Sequence, residues 1–308
     1  MKLLVTGASG RIGRALVVRL ARDHQVLGMD RVPSSTAHWV GDLADAALLR
    51  RALQGTDAVV HSAALHAPQV GHLADAEFQR INVQATRCLA ELACEAGVRQ
   101  FIYTSTTALY GAAATPAQAA GWVDEATVPQ PRSVYHRSKL AAERLLAGFA
   151  DAGVFGLTVL RMSRCFPETA PVMCAARLHR GVDGRDVAEA HARALATARP
   201  GTRLYVLSGA TPFHPADATR LKADAPAVLR QRAPALAAAF AQRGWALPAS
   251  IDRVYSPARA IQALGWQPRH GFAEVLRQLD EESPEVLPAG FMVAEVGQHA
   301  PGQSEGCR

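Results

Sequence analysis

Apolar residues along this chain follow two alternating periods, and the alternation is regular enough to read elements from it. Residues 2–6 make a short apolar run that stops at glycine, the pattern of a strand covered on both faces. Ile12, Ala15, Leu16 and Leu20 then recur at helical spacing. A second strand is predicted over residues 25–29, closed by Asp30, and a short run at 38–40 leads into Gly41-Asp42-Leu43. A helix over 45–53 and a strand over 58–61 follow. The spacing of Phe78, Ile81, Ala85, Leu89 and Leu92 predicts one long helix over 74–96, with Gly97 as its C-cap. Strand 100–105, an Ala/Pro/Gly-rich loop over 112–131, a helix over 134–152 and a strand over 154–161 complete the regular part. Beyond Arg161 the pattern loosens. A helix over 184–198 and a strand over 203–207 are still legible, and the rest, through Leu279, reads as helical and punctuated by proline.

Strands alternating with helices imply an α/β architecture: a doubly wound parallel sheet with right-handed crossovers, carrying its ligand at the carboxyl ends of the strands. The expected division is a sheet-bearing domain over 1–163, to which 184–208 returns, and a smaller lobe from 164–183 and 209–282. From Ser283 the chain turns Pro/Gly-rich and polar, so 283–308 is expected to be a tail. No internal repeat is visible.

Composition narrows the partners. At 308 residues, 49% apolar and 19% charged, the chain has the make-up of a soluble globular protein with a sizeable core. Lys and Arg outnumber Asp and Glu by 33 to 27, but the excess is scattered and forms no basic block, so no nucleic-acid partner is expected. Cys88, Cys94, Cys165, Cys174 and Cys307 form no CxxC, which suits reduced cytosolic thiols. The first strand begins right after Met1, leaving no room for a signal peptide, and no apolar run approaches the ~18 residues of a membrane span. A cytoplasmic protein without membrane contact is expected. No His/Cys/Asp cluster has metal-ligand spacing, so no metal is expected either.

The candidate chemistry sits at two places. Thr6-Gly7-Ala8-Ser9-Gly10-Arg11-Ile12-Gly13 spaces three glycines between a strand and a helix. That spacing suits a tight turn, a close backbone approach to a pyrophosphate, and close helix–strand packing, with free N–H groups at the helix start facing the phosphates. Asp30 follows seventeen residues after Gly13, where a carboxylate can accept both ribose hydroxyls of an adenosine. It would repel a 2′-phosphate, which favours NAD over NADP, although Arg31 beside it could pair with such a phosphate. The second place is Tyr135-His136-Arg137-Ser138-Lys139, whose Tyr and Lys lie four apart on one helix face. Tyrosine titrates at about 10. A neighbouring ammonium is expected to bring Tyr135 down towards a working pH as an acid/base. Lys139 is also placed to hydrogen-bond the nicotinamide ribose. The run from Phe101 to Gly111 supplies hydroxyls at the strand end, one of which can hold a substrate oxygen.

With these motifs in this order, the chain resembles the extended short-chain dehydrogenase/reductases of the NAD-dependent epimerase/dehydratase group. The resemblance runs from Lys2 to about Leu279 and is densest in the first 160 residues; it takes in TGASGRIG, Asp30, Asp42-Leu43, His61-Ser62-Ala63-Ala64, Asn82, TSTTALYG, YHRSK, Leu160-Arg161, Val182 to Ala188 and Leu264 to Pro268. It implies a Rossmann-like doubly wound parallel sheet with a smaller, mostly helical C-terminal substrate lobe. It also implies that Gly7, Gly10, Arg11, Ile12 and Gly13 hold the pyrophosphate of NAD, that Asp42 and Leu43 flank the adenine, and that Ala63, Ala64 and Asn82 line the cofactor groove. Tyr135 becomes the acid/base with Lys139 as partner, and Thr106 the hydroxyl that holds substrate, with Ser105 as the alternative. Such proteins often carry an asparagine where this chain has Arg164, and a longer stretch than 161–183. These departures point to a smaller, carbohydrate-like substrate, bordered by His66 and Arg164, with a nucleotide sugar next. Dehydrogenation, epimerisation and dehydration share their first half-reaction and stay open; a non-catalytic dinucleotide sensor would have no use for Tyr135. A homodimer through the helices at 74–96 and 134–152 is the expected assembly.

Overall fold

The computed structural model describes residues 1–197 and 199–291. Among them, seven strands form one parallel sheet: β1 (Lys2–Thr6), β2 (Gln25–Asp30), β3 (Trp39–Val40), β4 (Ala58–His61), β5 (Gln100–Thr106), β7 (Gly156–Met162) and β8 (Thr202–Leu207), in the order β3-β2-β1-β4-β5-β7-β8. Leu3, Leu4 and Val5 of β1 are wholly buried because helices cover both faces of the sheet. On one face, Leu16 and Leu20 of α1 (Arg11–Leu20) pack with Val187 and Leu195 of α7 (Gly184–Ala196) and with Trp266. On the other lie Leu49 and Leu53 of α2 (Ala46–Leu53), Leu89 and Leu92 of α4 (Ala85–Glu95), and Leu146 of α5 (Val134–Asp151). The doubly wound sheet is therefore as expected.

The long helix expected over 74–96 is interrupted. Its first turn, α3 (Asp75–Gln79), passes into a π-helical turn at Arg80–Gln84 before α4 begins. The segment 112–131 is mostly loop but contains a short strand, β6 (Gly121–Val123). It pairs in parallel with β9 (Arg253–Tyr255), so the C-terminal region is not helical throughout. That pairing docks the lobe onto the sheet. The lobe's core gathers Met173 and Cys174 of α6 (Ala170–Ala176), Leu221 of α8 (Ala218–Ala223), Val228 and Leu229 of α9 (Ala225–Arg232), Leu236 and Phe240 of α10 (Pro234–Gln242), and Val275 of α12 (Phe272–Asp280). Between β9 and α12, α11 (Ala258–Leu264) returns to the sheet side through Ala260 and Leu264.

The expected tail divides. Residues 283–291 fold back onto the body: Val286 is buried, Leu287 donates its N–H to the Glu168 carbonyl, and its own carbonyl accepts from Ala170 N–H. An apolar side chain and two backbone bonds hold this piece, which its polar composition did not announce. Residues 292–308 lie outside the described ones. No described helix is long and apolar enough to cross a membrane.

Candidate active site

The sheet's strand order reverses between β1 and β4, so their connections leave in opposite directions and open a crevice at their carboxyl ends. A cavity of about 470 Å³ lies there, and with one exception every residue proposed from sequence for the site lines it. The glycine loop forms its floor. A Cβ on Gly13 would stand 1.9 Å from the Gly7 carbonyl oxygen, and one on Gly7, whose φ is +73°, would meet Ala63 N at 2.7 Å. Only glycine fits at either position. Gly10 caps α1 with no side-chain hydrogen bond, so the first N–H groups of that helix face the cavity unmasked. A pyrophosphate fits this cradle.

At the end of β2, Asp30 accepts one hydrogen bond on each oxygen, from Ser9 N–H at 3.0 Å and Val32 N–H at 2.9 Å. Each oxygen keeps a lone pair for a ribose hydroxyl. Arg31 lines the cavity beside it. Asp42 is held below the ordinary carboxylate range, first by a hydrogen bond from Ala44 N–H and then by Arg80, whose two Nη atoms each stand 3.1 Å from it. Sequence reading missed Arg80; the π turn that carries it leaves no trace in a helical apolar pattern.

The exception is Asn82. It is buried behind the cavity wall, where its Nδ2 donates to the Leu65 carbonyl and to Ser138 Oγ, both at 2.9 Å, and its Oδ1 accepts Leu65 N–H at 2.8 Å. Ser138 Oγ in turn donates to the Tyr135 carbonyl at 3.0 Å. Asn82 thus ties the loop after β4 to the helix that carries Tyr135.

Ser133 caps α5, its hydroxyl accepting from His136 N–H, and so sets Tyr135 in the first turn of the helix with Lys139 on the next. Lys139 Nζ donates to the Thr104 carbonyl at 2.8 Å and lies 4.0 Å from the ring centre of Tyr103. Burial lowers its pKa to about 7, against the opposing pull of Glu143. Burial pushes Tyr135 the other way, up to about 12, with the Thr106 hydroxyl opposing. The expected lowering of Tyr135 by Lys139 is therefore corrected: desolvation raises the phenol, Lys139 is not among the groups that oppose it, and the same desolvation weakens the hold of Lys139 on its proton.

Thr106 and Ser105 part company. Thr106 Oγ1 accepts from Ala108 N–H at 3.1 Å and points its own proton to the cavity side, towards Tyr135. Ser105 Oγ donates to Glu143 Oε1 at 2.5 Å inside a buried cluster, where Arg161 grips the same carboxylate at 2.6 and 3.0 Å and reaches Tyr110 Oη at 3.1 Å. Desolvation lowers the pKa of His66, an exposed residue at the cavity wall, and its ring meets that of Phe166 edge-on at 5.9 Å. Arg164 also lines the cavity. From the lobe come Arg180, Arg253 and Tyr255, none of them read from sequence, the last two delivered by the β6–β9 pairing. Arg180 Nε is buried and without a hydrogen-bond partner among the described residues, while Asp252 holds the Arg253 guanidinium through two bonds.

The model of the NAD dependent epimerase/dehydratase family matches residues 3–172. The dTDP-D-glucose 4,6-dehydratase of Mus musculus is 27% identical over 184 residues, which cover 54% of this chain and 50% of that protein. The D-erythronate dehydrogenase of Cupriavidus necator is 31% identical over 186 residues, 53% of this chain and 54% of that one. The chain spans about half the length of these curated relatives. Among solved structures, the UDP-glucose 4-epimerase of Thermus thermophilus in complex with NAD superposes with a TM-score of 0.66 at 25% identity, covering 90% of this chain and 97% of that one.

Proposed function

Because the chain belongs to the NAD dependent epimerase/dehydratase family, we propose that it binds NAD and moves hydride to and from a secondary alcohol of a sugar, with Tyr135 as acid/base. The observation that carries this reading is the convergence of the glycine cradle, Asp30, Thr106, Tyr135 and Lys139 on one cavity. Gly7, Gly10 and Gly13 with the N–H groups of α1 would hold the pyrophosphate, and Asp30 the adenosine ribose, which favours NAD over NADP. Bound there, the nicotinamide supplies the hydride acceptor and donor.

The chain's own groups handle the proton. Thr106 Oγ1–H donates to the substrate oxygen, stabilising the charge that gathers there as the C–H bond breaks. Tyr135 Oη takes the hydroxyl proton as the alcohol becomes a ketone, and returns it when the ketone is reduced. Lys139, on the next turn, lines the same cavity and would hold the nicotinamide ribose. Ser105, whose proton is committed to Glu143, takes no part at the substrate.

The order of substrates expected from sequence reverses. Arg180 and Arg253 give the lobe side of the cavity a grip for an anionic group, and relatives named for dTDP- and UDP-sugars match this chain. Both favour a nucleotide sugar over a small free sugar. Elimination of water needs a further acid and base beside the reacting carbons. The carboxylates lining the cavity, among the described residues, are Asp30 and Asp42, at the adenosine end. Epimerisation therefore stands first and dehydrogenation second.

Purified protein incubated with NAD and UDP-sugars tests this. Isomer formation without net NADH is expected from an epimerase, and accumulating NADH from a dehydrogenase. Tyr135→Phe should lower turnover by about 10²-fold or more, the usual share of general acid–base catalysis, while NAD affinity is kept. Undiminished turnover in that variant would overturn the reading.

A further inference from the structure

Arg164 stands two residues beyond Met162, and Met162 is the β7 residue that pairs with Thr106 of β5. The register thus sets this arginine just past the strand end where the substrate oxygen is held. Its backbone is pinned, with the N–H donating to the Arg180 carbonyl at 3.0 Å and the carbonyl accepting from Val182 N–H at 2.9 Å. Its side chain is oriented as well. The guanidinium lies over the Phe166 ring at 5.5 Å, Phe166 is braced from its other neighbour by His66, and Arg164 Nε donates to Glu168 Oε2 at 2.6 Å. Among the described residues Nη1 and Nη2 make no hydrogen bond, so the paired outer edge of the fork is free. That edge is the one that matches a carboxylate with two parallel bonds.

Electrostatics favours the same ligand. The carboxylates Asp30 and Asp42 belong to the β2–β3 side of the cavity. Four strand spacings separate β2 from β7, or roughly 19 Å at about 4.8 Å each. The acids near the reacting end, Glu143 and Glu168, are each already paired with an arginine, Arg161 and Arg164. Glu168 itself engages Nε and leaves the outer edge to a ligand.

We propose that Arg164 makes this site selective for a sugar that bears a carboxylate close to the reacting alcohol, an acidic sugar rather than its neutral counterpart. The inference rests on the reading of the site as one for NAD-dependent sugar chemistry, and it adds the class of sugar. The carboxylate could be borne by a nucleotide-linked uronic acid or by a free sugar acid, and Arg164 would recognise it in the same way.

Two matched pairs test it: UDP-glucuronic acid against UDP-glucose, and D-glucuronate against D-glucose. Within each pair one CH2OH is exchanged for a carboxylate and nothing else changes. Dissociation constants are measured calorimetrically on the full chain with NAD present. In at least one pair the acid should bind about tenfold or more tightly, as expected for a charge-assisted hydrogen-bonded contact; which pair it is identifies the source. Arg164→Gln should bring that ratio close to one. Arg164→Lys, which keeps the charge but loses the fork, should retain part of it. The inference is overturned if neither acid binds more tightly than its neutral partner, or if Arg164→Gln leaves the ratio unchanged. Such a result would leave NAD binding and the Tyr135→Phe effect intact, whereas failure of those two would remove the reading beneath it.

Discussion

Lys139 shows what burial does to a single side chain. Its neighbours satisfy it only in part: one carbonyl at 2.8 Å and the face of Tyr103. Its pKa falls to about 7 from an unfolded value of 10.5. The sign of the stability effect follows. Between those two values the unfolded chain binds the proton and the folded chain does not, so the protein gains stability from this group as pH rises from 7 towards 10.5. Lys139→Met should remove that dependence. Its melting temperature should exceed that of the natural protein most at neutral pH, and the difference should shrink as pH approaches about 10, even though catalysis is lost. Thermal unfolding followed at about pH 7 and about pH 9.5 checks this; a gap that does not change with pH would contradict it. The choice between Ser105 and Thr106 is decided at the same scale. Adjacent residues of a strand face opposite ways, so two neighbouring hydroxyls look equivalent in sequence until Glu143 claims one of them.

At the scale of elements, the π turn at Arg80–Gln84 is the departure with the largest consequence. A regular helix over 74–96 satisfies the apolar spacing equally well, which is why the spacing predicts one. The inserted turn brings Asn82 inward to serve Leu65 and Ser138. Asn82→Ala strands a buried N–H, a buried C=O and a hydroxyl. A loss of about 1–3 kcal/mol in denaturant unfolding is expected from groups left unpaired in this way. NAD affinity should also weaken, because Leu65 and His66 border the cavity. Full stability in the variant would show that water replaces the amide. The β6–β9 pair teaches the same lesson from the other side. Three residues each, set 132 positions apart by number (253 − 121), form a strand pair only because the lobe docks, and no local pattern encodes that.

For the molecule as a whole, the segment 283–291 joins cofactor loop and lobe. Glu285 forms an ion pair with Arg11 of the glycine loop, Val286 is buried, and Leu287 bonds to both sides of the Glu168–Ala170 turn. Arg11 is thus shared between a carboxylate of the chain and any pyrophosphate seated on α1. Glu285→Gln should free the guanidinium and remove a negative charge from that end of the cavity. NAD affinity is then expected to rise a few-fold at low salt and less at high salt, since the pair is partly exposed and screened. Fluorescence titration with NAD at two ionic strengths measures it, and an unchanged affinity at low salt would dissociate this segment from cofactor binding.

Local pattern determined the sheet, the glycine cradle, Asp30 and the Tyr135–Lys139 pair, because each depends on residues a few positions apart: a period of two, a helical turn, a Cβ that must be missing. Tertiary structure alone decided the rest. It set the pKa order of Tyr135 and Lys139, through desolvation by neighbours distant in sequence. It turned Asn82 from the groove into the wall behind it, brought Arg180 and Arg253 to the substrate side, and freed one edge of Arg164. Burial and electrostatic environment are sums over the whole packed chain, and no window of sequence contains them.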